Sequence, residues 1–329
     1  MILVRNIRLP LSAGEPQAFE KALHTLRVPR SKVEHTGVAK LSVDARHGQP
    51  KLVYTVAVTL RQPGEETALA ARCPDAALHR RADFTLQPGT QPLAHRPVVC
   101  GLGPAGLFAA LLLARQGYRP IVLERGPALD ARVQAVEHFS ATGQLDPNAN
   151  IQFGEGGAGT FSDGKLNTGV NDPRMRYILE QFVEFGAPCE ILWEAAPHVG
   201  TDYLRTVVKN IRQELIRLGA EVRFGHQLTG ISIEDGGIAG AKVNGPDGPH
   251  TIETDQIVLA LGHSARDTFR MLYAAGIPME QKQFAMGVRI EHLQKNITIA
   301  QYGAEIAGLP VASYKLSCHP ETGRGAFSF

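Results

Sequence analysis

Residues 97–106 read PVVCGLGPAG, and they are the strongest indication of the fold. The apolar run 97–100 predicts a short buried strand, and the apolar segment 106–116 predicts a helix directly after it. A second apolar run, 121–123, predicts another buried strand, which ends at Glu124. A GxGxxG between a strand and a helix, with an acidic residue ending the next strand, is typical of a dinucleotide-binding βαβ unit. The sequence therefore predicts an α/β domain with a parallel sheet.

Each position of the GxGxxG has its own physical role. Gly101 permits the tight turn, Gly103 lets the backbone approach a pyrophosphate, and Gly106 lets the helix pack closely on the strand. The helix N-terminus offers N–H groups to phosphates. Glu124, 18 residues after Gly106, is expected to accept hydrogen bonds from a ribose and to disfavour the 2′-phosphate of NADP. A βαβ unit without a nucleotide is the alternative. The contacts predicted from this unit are Gly101, Leu102, Gly103, Pro104, Ala105, Gly106, Glu124 and Arg125.

A GxGxxG alone does not separate NAD from FAD, and a second segment bears on this choice. Residues 256–263 read QIVLALGH, an apolar strand that ends in a turn of small residues. The segment resembles a strand end of two-dinucleotide flavoproteins, where a glycine lets the chain pass close to the cofactor. Taken alone, an ordinary strand-to-helix turn explains it better. Its distance from the first motif and the strand hairpin before it favour the flavoprotein interpretation, with Gly262 as a contact.

A glycine-dense segment, residues 154–165, reads GEGGAGTFSDGK. Backbone N–H groups of such a segment can line a concave anion site. Thr160 and Ser162 add hydroxyl donors, and Lys165 would lie near a flavin ring, where its charge stabilises the anionic reduced form. A flexible surface loop is the alternative. The contacts predicted from this segment are Gly156, Gly157, Gly159, Thr160, Ser162 and Lys165.

The first 90 residues have a different pattern and predict a separate small domain. They show a strand-like run, an amphipathic helix and further strand-like runs, at 1–9, 15–28, 40–45, 52–60 and 82–86. A proline- and glycine-rich linker follows at 87–92. The domains predicted are an α+β ferredoxin-like domain at 1–90, an FAD/NAD(P)-binding Rossmann-like three-layer domain at 95–268, and the incomplete start of a substrate or cap domain at 269–329.

Three further segments complete the secondary-structure prediction. Residues 126–150 are polar and predict a long loop, whereas the apolar run 251–261 predicts one strand. Residues 284–292 are strand-like, and Glu291 and His292 within them could line a substrate pocket, although an amphipathic strand explains the pair equally well.

The composition excludes several classes of function. The chain has 329 residues and a formal net charge of +2, which gives no electrostatic reason to expect nucleic acid or an anionic membrane as a partner. Its four cysteines form no CxxC pair, which predicts reduced thiols in a cytoplasmic protein. His198, His263 and His292 have no metal-ligand spacing with one another, and no side chain is singled out as acid, base or nucleophile, so no metal site and no catalytic residue is predicted.

The segments together resemble the bacterial family of uncharacterised FAD-dependent dehydrogenases, within the glutathione-reductase-like flavoproteins. The resemblance covers nearly the whole chain and is carried by SVDAR, PVVCGLGPAG, GAGTFSDGKLNT, PHVGTD and FAMGVRIEH at 42–46, 97–106, 157–168, 197–202 and 284–292. It implies FAD as the cofactor, held by the residues named above and Gly262, with the backbone of Leu228 meeting the adenine. Family members continue to a C-terminal Gly-Asp motif that closes over the FAD. This chain has no Gly-Asp dipeptide, so we expect it to be truncated.

The resemblance favours an FAD-dependent oxidoreductase with a small-molecule substrate. A second dinucleotide fingerprint is absent, so an electron donor such as NAD(P)H is expected to bind elsewhere or transiently, or the substrate itself supplies the electrons. A flavin-dependent RNA-modifying enzyme is one alternative, which the near-neutral charge disfavours. A non-catalytic nucleotide-binding or partner-binding module is the other.

Overall fold

The structure is a computed structural model that describes residues 1–46, 50–80, 84–161, 166, 172–194, 197–282, 284, 286–323 and 325–327. The chain divides into two compact units. Unit 1 comprises residues 1–82, 192–195 and 283–329, and unit 2 comprises residues 83–191 and 196–282. Each unit is described separately.

Unit 1 begins with elements in the order β-α-β-β-α-β. These elements are β1 (Ile2–Leu9), α1 (Glu15–Leu26), β2 (Val33–Asp44), β3 (Lys51–Leu60), α2 (Glu66–Arg72) and β4 (Ala76–Leu78). The strands form one sheet in the order β2-β3-β1-β4, and each neighbouring pair is antiparallel.

The register of β1 shows how its sequence fits this sheet. The strand buries Ile2 and Val4, and then Ile7 and Leu9, so its buried positions change from even to odd. Its pairing with β3 shifts between Val4 and Ile7, where Asn6 has a positive φ of 56°. A bulge inserts one residue and so resets the two-residue alternation. The whole apolar set therefore stays on the face that packs against α1.

The strand predicted at 82–86 is wrong in its described part, because residues 84–86 have no regular structure. The fourth strand is β4, which ends eight residues before the predicted run does. It pairs with the start of β1. The short β4 is only partly buried, so its alternation was too weak to predict a strand.

Unit 2 contains a parallel sheet, an antiparallel sheet and five helices among the described residues. In chain order its elements are β5 (Val98–Cys100), α3 (Pro104–Arg115), β6 (Ile121–Glu124), α4 (Leu129–Thr142), α5 (Arg174–Glu184), α6 (Thr201–Arg217), β7 (Glu221–Phe224), β8 (Gln227–Glu234), β9 (Gly237–Gly245), β10 (Gly248–Glu253), β11 (Ile257–Leu259) and α7 (Arg266–Ala274). The parallel sheet has the order β11-β5-β6-β7, and the antiparallel sheet has the order β10-β9-β8.

The side chains of β5 show how these elements form layers. Successive strand residues point to opposite faces of a sheet. Val98 and Cys100 pack in a cluster with Val243 of the antiparallel sheet. Val99 packs in a different cluster, with Ile211 of α6 and residues of α3 and α5. The parallel sheet thus lies between a helical layer and the second sheet, which confirms the predicted α/β class with a parallel sheet.

Two predictions for unit 2 are wrong. The segment 126–150 is not one long loop, because α4 occupies residues 129–142. The run 251–261 is not one strand, because β10 and β11 belong to different sheets. Between them, the buried Thr254 hydroxyl donates to the carbonyl of Arg96 at 3.0 Å. Local apolar content could not show that the chain changes sheets there.

The last part of unit 1 has little regular structure. It contains α8 (Gln294–Tyr302), β12 (Ser317–Cys318) and β13 (Ala326–Phe327), and the two strands pair with each other. The strand predicted at 284–292 is not formed by the residues described there. No helix in the described part of the chain combines the length and apolar character that a membrane crossing needs.

Candidate functional site

A cavity of about 320 Å³ lies at the carboxyl edge of the parallel sheet in unit 2. The chain segments that leave β5, β6 and β11 meet there. In open parallel sheets, ligands bind at this edge, where strand order reverses on either side of one strand. The predicted contacts that line the cavity are Gly101, Gly103, Pro104, Ala105, Glu124, Arg125, Gly157, Gly159, Leu228 and Gly262.

The turn after β5 packs so closely on its neighbours that Gly101 and Gly106 have no room for a side chain. Gly101 has a φ of 101°, and its N–H donates to the carbonyl of Leu123 at 2.7 Å. A Cβ on Gly101 would lie against the carbonyl oxygen of Ala260 and 3.0 Å from its carbon. A Cβ on Gly106 would meet the carbonyl of Gly101, with its carbon 2.8 Å away. These glycines therefore allow β5, α3 and β11 to pack closely together. Gly106 contributes to this packing and does not line the cavity.

Gly103 differs from these two glycines, because nothing in the protein crowds it. It is the N-cap of α3, with φ −71° and Pro104 at the first helical position. A Cβ on Gly103 would find its nearest atom, the Cα of Gly157, at 3.8 Å. The space in front of the helix N-terminus is thus open on the cavity side, as the predicted approach of a pyrophosphate requires.

Glu124 connects the turns that follow β5 and β6. Its side chain is buried, and its Oε2 accepts a hydrogen bond from the N–H of Leu102 at 2.9 Å. Its Oε1 accepts from the N–H of Gly126 at 2.8 Å. Each carboxylate oxygen has a second lone-pair direction. Glu124 therefore holds the site together, and its predicted contact with a ribose stays a prediction.

The glycine-rich segment docks on the first turn. The N–H of Gly156 donates to the carbonyl of Leu102 at 2.8 Å, and a Cβ on Gly157 would lie 2.7 Å from Cδ of Pro104. Thr160 does not line the cavity, because it is fully buried and its hydroxyl donates to the carbonyl of Glu155 at 3.2 Å. Its hydroxyl thus bonds to Glu155, and its predicted role as an anion donor stays a prediction. Leu102, Gly106 and Gly156 also lie behind the cavity wall, and Ser162 and Lys165 lie outside the described residues.

Arg125 is held by α7 at one end of the cavity. Its Nη2 donates to Oδ1 of Asp267 at 3.0 Å and to the hydroxyl of Thr268 at 3.0 Å. Its guanidinium carbon lies 4.8 Å from the ring centroid of Phe153, and Gln227 donates to the other oxygen of Asp267 at 2.8 Å. Burial opposes ionisation of Asp267, but the hydrogen bonds from Arg125 and from the Thr268 N–H lower its pKa overall. The charge of Arg125 is thus paired.

Two buried ionisable residues behind the glycine-rich segment, Arg132 and Glu155, were not predicted as part of the site. Arg132 is fully buried, and burial lowers its pKa to about 10. Burial also raises the pKa of Glu155, whose Oε2 accepts from the N–H of Leu129 at 2.8 Å and whose Oε1 lies 3.3 Å from Nε of Arg212. A signal for Arg132 was present, since Leu129, Arg132 and Val136 have the spacing of one helix face and all three are buried.

Two family models match parts of the chain, and one curated protein matches all of it. A family model described as FAD-dependent protein, C-terminal domain-like, matches residues 283–329, and a domain of unknown function, DUF8436, matches residues 1–59. A Clostridium beijerinckii protein described as uncharacterized is 42% identical over 335 residues. The alignment covers all of this chain and 62% of that protein, so the chain spans less than two thirds of its relative. The first match supports FAD as the cofactor.

Solved structures resemble the chain only distantly. The crystal structure of Thermovibrio ammonificans THI4 has a TM-score of 0.38 and 19% identity, covering 56% of this chain and 64% of that one. A geranylgeranyl bacteriochlorophyll reductase-like protein from Thermoplasma acidophilum has a TM-score of 0.35 and 15% identity, covering 56% and 43%. Likenesses at this level carry no argument about function.

Proposed function

We propose that unit 2 binds FAD in its cavity and that the chain is part of an FAD-dependent, dehydrogenase-like oxidoreductase. One observation carries this proposal. The GxGxxG turn, Glu124 and the glycine-rich segment lie far apart in the sequence, yet they line or support one cavity at the carboxyl edge of a parallel sheet. The match to an FAD-dependent family model supports FAD over NAD. We also propose that the β-α-β-β-α-β part of unit 1 is the ferredoxin-like domain, on the basis of its strand order.

The residues present fit a dinucleotide. The first N–H groups of α3 have no acceptor within the helix, and the open space beside Gly103 lets a pyrophosphate reach them. Glu124 and Leu228 also line the cavity, and their wall is proposed to meet the ribose and adenine. Asp267 already pairs with Arg125, so this guanidinium offers little free charge to a 2′-phosphate. Ser162 and Lys165 remain proposed contacts on sequence grounds.

FAD would supply hydride and electron transfer when bound, while this chain binds and orients it. We propose a small-molecule substrate and an electron donor or acceptor as partners, with NAD(P)H as the first donor to test. No side chain of the cavity wall is assigned as acid or base.

The proposal is tested by measuring the visible absorbance of the purified chain and identifying the flavin that denaturation releases. We expect FAD to be released, and anaerobic bleaching by NADH, NADPH or a substrate would identify a redox role. FAD that no donor reduces would favour a non-catalytic module. A colourless chain that also fails to take up added FAD would refute the site.

Gly103→Leu provides a sharp variant, because its backbone φ is ordinary and its Cβ has room. The leucine would fill the space proposed for the pyrophosphate without forcing the fold apart. The matched control is Gly64→Leu in unit 1, where a Cβ meets nothing within 4 Å. We expect the Gly103 variant to fold and to lose FAD, and the Gly64 variant to keep FAD-binding unchanged.

A further inference from the structure

The guanidinium of Arg132 has an unusual set of partners for a buried charge. Its four hydrogen bonds within the described chain all go to backbone carbonyls: Nε to Asn150 at 3.1 Å, Nη1 to Glu155 at 2.7 Å and Gly157 at 2.8 Å, and Nη2 to Ile151 at 2.9 Å. Burying an ion without a directly bonded counter-ion is costly. The bonds to four carbonyls offset part of that cost, and an apolar residue on this face of α4 would leave those carbonyls without this donor.

These bonds determine which way the peptide groups of the glycine-rich segment face. A trans peptide is planar, so its N–H points opposite to its C=O. The carbonyl of Glu155 points to Arg132, and the N–H of the same peptide, on Gly156, points away and donates to the carbonyl of Leu102 in the GxGxxG turn. The carbonyl of Gly157 also points to Arg132, so the N–H of Ala158 points away as well. Ala158 lines the cavity.

We propose that Arg132 is a positioning residue that turns the peptide groups of residues 155–158 so that an N–H donor faces the phosphates of the bound dinucleotide. The inference rests on the proposed function, because it needs a phosphate-bearing ligand in the cavity. Arg132 itself lies behind the segment and does not line the cavity. It acts through the backbone that it holds.

The other arginine at this segment provides a matched control. Arg132 and Arg205 both lie over the ring of Phe161, with guanidinium carbons 4.8 Å and 5.5 Å from its centroid. Within the described residues, Arg205 donates to none of the carbonyls that Arg132 holds, and its buried Nε has no hydrogen-bond partner. Arg205→Met therefore perturbs the same ring and the same segment without releasing the peptide groups.

The experiment compares ADP with adenosine, which lacks the phosphates, by titration calorimetry on the whole chain. The wild type is expected to bind ADP more tightly than adenosine. In Arg132→Met, the ratio of the two affinities is expected to fall at least about tenfold, the effect of losing one hydrogen bond to a charged group. The affinity for adenosine should stay within about threefold, and Arg205→Met should leave the ratio unchanged.

Arg132→Lys keeps the charge but cannot reach carbonyls spread around three guanidinium nitrogens. A similar fall in the ratio of ADP to adenosine affinity for this variant assigns the effect to peptide orientation. If Arg132→Met does not fold, Arg132→Lys is the variant that tests the inference. An unchanged ratio in folded Arg132 variants, or an equal fall in Arg205→Met, would overturn the inference while leaving the proposed function intact. A wild type that binds neither ADP nor FAD would overturn the proposed function itself.

Discussion

Replacing Gly101 with alanine tests whether the turn after β5 is closed by contact with the end of β11. The residue has a φ of 101°, and an added Cβ would press on the carbonyl of Ala260. Gly117 is a matched control, because it also has a positive φ, 85°, but a Cβ there meets nothing within 4 Å. Alanine at either position incurs the conformational cost of a left-handed backbone, about 1–2 kcal/mol. Only Gly101→Ala adds the cost of overpacking, about 1–3 kcal/mol.

The expected free energy of unfolding therefore falls by about 2–5 kcal/mol in Gly101→Ala and by about 1–2 kcal/mol in Gly117→Ala. Urea denaturation of both variants, followed by circular dichroism, measures the difference. The N–H of Ala260 donates to the carbonyl of Cys100 at 2.8 Å, so a Cβ that displaces Ala260 would also disturb this link between β11 and β5. Because both strand ends line the cavity, ADP binding should also weaken in Gly101→Ala. Equal stability losses within about 0.5 kcal/mol would refute the packing argument, since that is the scatter expected for independent sites.

Three further predictions use the buried groups of unit 2. Glu124→Gln leaves one acceptor oxygen for two buried N–H donors, so urea denaturation should show a loss of about 1–3 kcal/mol, and an unchanged midpoint would contradict the geometry. Burial raises the pKa of Cys100 to about 12, so iodoacetamide at pH 9 followed by mass mapping should label the exposed Cys189 and spare Cys100 until urea is added; early labelling of Cys100 would count against its burial. Burial raises the pKa of Glu155 above 4.5, so the folded state resists ionisation of this carboxyl group. The free energy of unfolding of the wild type should therefore fall relative to that of Glu155→Gln as pH rises from 4.5 through the raised pKa. A difference in stability that does not change with pH would contradict this explanation.

The sequence predicted the centre of unit 2 because its signals are local. The order of apolar strand, glycine turn and apolar helix predicted β5 and α3, and Glu124 does end β6. The buried residues of α6 also recur along one face, which is the apolar spacing typical of an amphipathic helix. These elements depend on short-range periodicity and on glycines that a backbone turn requires.

The helix α4 was missed although its buried residues have helical spacing, because one of them is Arg132. A helix that buries a charged residue on its inner face breaks the apolar pattern by which helices are recognised. The guanidinium is accommodated because carbonyls from residues 150–157 come to it, and that arrangement exists only in the folded chain. The same holds for Thr160, whose hydroxyl bonds inward to Glu155 instead of reaching the cavity.

The local sequence was enough to predict the βαβ unit and the glycines that close its turn. The packing of the folded chain decides which predicted residues line the cavity, how Arg125 pairs with Asp267 of α7, and which residues of the glycine-rich segment reach the cavity. Local geometry follows from the backbone preferences of neighbouring residues. Contacts between residues more than a hundred positions apart, such as Arg125 and Asp267, depend on how sheets and helices pack, and no local pattern records that packing.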